Sequence, residues 1–222
     1  MTNQINTNHT DANKRSPEIE VANSRLASLT DWIDQRFKIT LPGDRRSRVA
    51  SACLDIALEH QAAIAVLGEH QLYGSFFSLV RVLVDAYVRG VWFHRCASEE
   101  DLNRFERDQL DKKFSVMIGE IEAKLGLQNS LLSVIKSRHW KALNSFTHTG
   151  FMQVVRRNSA QRTGPNYSKD EVVKALNFSG ILGLWSAAEL ANIANDHDLE
   201  KSVLIEVQKY TQLVSIGGQS GS

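Results

Sequence analysis

Proline is scarce in this chain of 222 residues. Only three occur, so long helices meet few obligatory breaks. Cysteine is limited to Cys53 and Cys96, which excludes a disulfide framework or a cysteine-ligated metal and points to a reduced, cytoplasmic setting. No run of about 18 apolar residues is present. The richest stretch, Leu72 to Phe93, is broken by Arg81, Asp85 and Arg89, so no membrane span is expected. Met1 to Pro17 lacks the apolar centre of a secretory signal. There is no glycine-rich phosphate loop, nucleophile elbow or dinucleotide fingerprint. No His-x-x-x-His or Glu-x-x-His pattern with a supporting carboxylate occurs, so neither a metal nor a cofactor is expected.

A further absence is local. Between Glu122 and Asp170 there is no acidic residue, yet the window holds Lys124, Lys136, Arg138, Lys141, Arg156, Arg157, Arg162 and Lys169, with His139 and His148. The formal net charge is only +1, so the rest of the chain, with 18 basic and 25 acidic residues, is net negative. Segregated charge of this kind concentrates anionic ligands and steers partners.

Apolar residues recur at three- and four-residue spacing, and the sequence predicts an all-α fold, an up-and-down bundle of six or seven helices. We expect a disordered tail over 1–17, one helical domain over 18–214 and a flexible end over 215–222. Helices are expected over Glu18–Phe37, from an Asp44 cap to His70, and over Leu72–Cys96. A capping box at Ser98 should open a fourth helix running to Gly126, and a fifth should run from Ser130 to His148, where Thr149-Gly150 stops it. Asn158 to Tyr167 reads as a loop. A capping box at Ser168 opens a helix to Asn195, and a last helix covers Leu199–Leu213.

On the third helix, Arg81, Asp85 and Arg89 share one face with Gly74, Ser78 and Trp92. Two guanidiniums and a carboxylate on an otherwise apolar helix require partners, for which Asp55 and Glu59, one turn apart on the second helix, are the acidic candidates. Either the stripe satisfies itself, or one arginine is left to grip a phosphate or carboxylate. Asn144 and His148 form an i,i+4 pair beside Lys141, just ahead of Arg156, Arg157 and Arg162.

The segments Ser78–Arg95, Asn144–Arg157 and Gly164–Tyr167 together resemble a bacterial all-helical family of unknown function over about Leu26 to Ala194. That resemblance implies no activity. A more distant resemblance is to the HEPN class, helical proteins of prokaryotic toxin and defence systems. Many of these cleave RNA without metal, using an Arg and a His separated by four to six residues. Arg89 and His94 have that spacing, but Gly90 stands where the class usually has a polar residue. On an unbroken helix the two would also point about 140° apart.

Two expectations follow. In one, a HEPN-like dimer binds or cuts RNA or a nucleotide: Arg89, His94, His148 and Asn144 are catalytic, and Arg81, Asp85, Lys141, Arg156, Arg157 and Arg162 bind anions. In the other, a non-catalytic helical adaptor uses the stripe to fix helix register and its basic side to dock an acidic protein partner or a second copy of itself.

Overall fold

The computed structural model describes residues 16–127, 130–158 and 164–217, and no strand occurs among them. The helices are α1 (Pro17–Arg36), α2 (Arg45–Glu69), α3 (Tyr73–Arg95), α4 (Glu99–Glu106), α5 (Phe114–Leu125) and α6 (Leu131–Val134). A π-helical turn (Ile135–His139) leads into α7 (Trp140–Thr147), followed by α8 (Phe151–Val155), α9 (Lys169–Ile193) and α10 (His197–Gly217). The all-helical expectation holds.

Local chemistry sets most of the ends. Ser16 caps α1 with Pro17 at its first position, and Asp44 caps α2 by accepting from the Ser47 amide at 3.0 Å. Ser98 with Asp101, and Ser168 with Glu171, form reciprocal capping boxes. Gly126 ends α5 in the left-handed region, and Thr149, at φ 52°, ends α7. The outer boundaries shift slightly: Pro17 is already helical, and α10 runs on to Gly217.

The expected fourth helix is two. Nine residues separate Phe105 from Phe114, about 180° on a continuous helix. Phe105 packs on Phe93 with ring centroids 4.6 Å apart, whereas Phe114 stacks on Trp140 at 4.0 Å. Residues 107–113, with Asp108 at φ 55°, make the turn that lets both rings reach the core. The expected fifth helix is divided by the π turn. With these breaks, the described residues hold ten α-helical segments rather than six or seven.

The centre is the α2–α3 pair. Helix α9 lies across both, α1 packs on α2 and α9, α10 on α9, and α5 and α7 cover α3. Trp92, Phe76, Phe93, Leu54 and Leu83 are fully enclosed between them. Helix α2 is long and apolar enough to cross a membrane by length and composition, with a mean hydropathy of 1.3 over 18 residues. Here Ala50, Leu54, Ala57 and Ile64 of that helix are entirely enclosed in the core.

At Gly90 α3 lies tight against α2. A Cβ there would sit 2.6 Å from Leu54 Cγ and 3.2 Å from the Ala50 carbonyl oxygen. Leu54 is fully buried and the Ala50 carbonyl belongs to a helix, so neither can step aside. Gly90→Ala should therefore cost about 1–3 kcal/mol by overpacking, despite the higher helix propensity of alanine. Urea unfolding checks this, and a neutral or stabilised variant would contradict the close contact.

Candidate functional site

The polar face of α3 fastens α7 and α8 to the core. Arg81 Nε donates to Asn144 Oδ1 at 2.8 Å, and its guanidinium lies 4.8 Å from the centre of the Trp140 ring. The Ser78 hydroxyl donates to the Phe146 carbonyl at 2.9 Å, and Gln153 Nε2 donates to the Gly74 carbonyl at 3.2 Å. One turn further along, Arg89 Nε donates to Asp85 Oδ2 at 3.2 Å, with the two side chains 34% and 24% exposed. The stripe is therefore half-buried and partnered, and contributes less than a fully desolvated pair would. Beside it, burial pushes the Cys53 thiol up to about 11.

Asp55 and Glu59 are not its partners. Both are exposed and line a cleft with Thr30, Ile33, Asp34 and Phe37, between α1 and α2. The i,i+4 spacing put them on one face, and that face looks to α1 rather than α3. The Asn144–His148 pair meets only through the backbone, the His148 amide donating to the Asn144 carbonyl at 3.1 Å. The His148 ring is exposed, not buried.

His94 stands apart from Arg89. Its Nδ1 is 2.5 Å from Glu189 Oε1 on α9. Arg95 grips the same carboxylate with both prongs, Nε to Oε1 at 2.6 Å and an Nη to Oε2 at 2.7 Å. Helix α3 is unbroken over Tyr73–Arg95, so Arg89 and His94 do not converge within one chain. Glu189 was not singled out in the sequence, although it is the lone acid between Glu171 and Asp196. Burial pushes its carboxyl up, but the hydrogen bonds from His94 and Arg95 and the Arg95 charge outweigh this and hold it below the usual range. Half-buried Tyr87 nearby is pushed well up, by its desolvation first and by Glu189 second.

The acid-free window folds into α6, the π turn, α7 and α8. Several of its cations are consumed internally or lie elsewhere. Arg156 pairs with Glu171 and donates to the Met152 carbonyl at 3.1 Å, and Lys169 pairs with Glu18 at 2.7 Å. Arg157 lies against Gly74 and Tyr167. Arg162 falls outside the described residues. Arg138, Lys141 and His148 are exposed, with no carboxylate partner among the described residues. The same acid-free window also exposes apolar side chains: Phe151 at 77%, Val154 at 44% and Val155 at 41%. A groove of about 360 Å³ runs past Thr149, Gln153, Val154, Arg157 and Asn158. No group of three or more metal-ligating side chains occurs among the described residues.

A family model matches residues 54–215, nearly three-quarters of the chain. The chain belongs to DUF6988, a family of unknown function. No curated protein and no solved structure matches it. The DUF6988 match starts at Leu54 and reaches 215, later at both ends than the resemblance noted from Leu26 to Ala194. It takes in the α3 stripe, the α7–α8 surface and Glu189, but leaves out α1.

Glu189 gives a test of the buried cluster. Its folded pKa lies below its unfolded one, so its contribution to stability is full above the usual glutamate value and is lost as pH falls through the folded value. Glu189→Gln should cost about 1–3 kcal/mol at pH 7, and the deficit should shrink below about pH 4. Thermal melts of parent and variant from pH 7 to pH 3 measure it. A pH-independent difference would remove the ionised carboxylate from the account.

Proposed function

We propose that this protein is a non-catalytic helical interaction module whose basic, apolar α7–α8 patch docks an acidic protein partner. The observation that carries this is Phe151, 77% exposed on a five-residue helix within a stretch of chain that has cations and no acids. A large aromatic ring left in water beside valines is costly to keep, and it resembles the anchor of an interface before its partner arrives. The π turn bearing Lys136, Arg138 and His139 fits this reading, because such turns are frequent at functional positions. The near-neutral total charge favours an acidic protein over nucleic acid in general. Two free cysteines suit a reduced, cytoplasmic setting.

The α3 stripe supports the same reading. Arg81 is committed to Asn144 on α7 and Arg89 to Asp85 on its own helix, which speaks for a structural role of the stripe rather than a grip on substrate.

A second reading, HEPN-like action on RNA or a nucleotide, rests on the His94–Glu189 contact. A carboxylate holding Nδ1 leaves Nε2 as the nitrogen for proton transfer. Arg89 would then have to come from a second copy, because its own side chain lies with Asp85.

Fluorescence anisotropy at low salt separates the two, with a glutamate-rich, leucine-containing peptide and a single-stranded RNA of equal net charge as probes. The interaction reading expects the peptide to bind more tightly than the RNA. Phe151→Ser and Lys141→Glu should each weaken the peptide about tenfold while leaving the melting temperature unchanged. Tighter RNA binding with cleavage that is lost in His94→Gln would overturn it in favour of the second reading.

A further inference from the structure

Building on the interaction-module reading, we propose that the acidic partner is a second copy of this chain, whose α1–α2 cleft receives the Phe151 patch head to tail. The cleft has about 360 Å³, lined by Ile33, Phe37 and Leu58 together with Thr30 and Gln61, whose Nε2 donates to the Thr30 hydroxyl at 2.9 Å. At its rim stand Asp34, Asp55 and Glu59, all exposed and without an ion-pair partner among the described residues. A cleft with apolar side chains and three exposed carboxylates is the complement in charge of a segment that exposes an aromatic ring and valines and carries cations without acids.

The fold prevents a chain from filling its own cleft. Helix α1 packs on α2 and α9, while α7 packs on α3 and α8, so the α2–α3 pair stands between donor patch and acceptor cleft. The same separation leaves both faces of one molecule open to neighbours. Because patch and cleft are different surfaces, the contact is heterologous, and repetition either closes a ring or extends a row. The chain's charge distribution takes on a purpose in this arrangement: the acid-free window meets the net-negative remainder of another copy. One anchored ring and its rim fall short of the roughly 1,200–2,000 Å² of a stable interface, so the association is weak, concentration-dependent and sensitive to salt.

Sedimentation velocity of the full chain at low salt, over a hundredfold range of concentration, tests this. The parent should shift to larger species as concentration rises. Phe151→Asp should lose self-association at least tenfold, and so should the double variant Asp55→Lys with Glu59→Lys, with circular dichroism and melting unchanged in both. Mixed together, the two variants should form a complex that stops at two chains, since each retains only one working half. A parent that stays monomeric while still binding the acidic peptide at the patch overturns the second-copy inference and leaves the interaction reading intact. A monomeric parent that binds no peptide overturns both. Assembly that survives both variants, or a mixture that does not pair, places the contact elsewhere and also overturns it.

Discussion

Everything on the outer side of this molecule depends on how closely α2 and α3 approach at Gly90. With no Cβ in the way, the Ala50–Leu54 segment seats against α3, and Trp92 and Phe93 are fully enclosed beside it. That seating fixes the rotation of α3 about its axis. Once the rotation is set, Arg81, Asp85 and Arg89 lie at the edge of the core, half in water, rather than at its centre. The glycine after Arg89 is thereby explained by packing alone.

From that edge the polar residues of α3 hold a thin outer layer. Helix α8 has only five residues and no buried side chain, too little to be stable by itself. It stays in place because Gln153 donates to the Gly74 carbonyl and to Ser78, the Met152 amide donates to the Ser145 hydroxyl, and Arg156 is gripped by Glu171. Glu171 also completes the capping box of α9, so one carboxylate fixes both the start of a core helix and the outer layer. These bonds hold the helix that carries Phe151 against the core. On our reading the cost of displaying that ring is met by preorganisation, which lowers the entropy lost when a partner binds.

Much of the fold was legible in the sequence, because capping chemistry is local. Asp44, Ser98 and Ser168 cap the helices they were expected to cap, and the common phase of Arg81, Asp85 and Arg89 follows from the period of the helix. Partners were less legible, because they depend on which helix lies opposite. Asp55 and Glu59 share a face, but nothing local says that it looks to α1. Glu189 sits among alanines and leucines, and only the crossing of α3 and α9 brings it to His94 and Arg95. The break at 107–113 contains neither proline nor glycine, so its cause is the tertiary demand that Phe105 and Phe114 reach opposite sides of the core. His148 follows Asn144 by one turn in sequence but stands exposed, since Thr149 turns the chain at the end of α7.

The central claim is a division of labour: the α3 stripe holds the structure, and the Phe151 surface works. Measuring melting temperature and acidic-peptide affinity side by side in Arg81→Ala and Phe151→Ser tests it most directly. Arg81→Ala removes a hydrogen bond and a cation–π contact, and should lower stability by about 1–2 kcal/mol, whereas Phe151→Ser should leave the melting temperature in place and weaken binding about tenfold. If instead Arg81→Ala melts like the parent, or Phe151→Ser binds like the parent, the division is wrong.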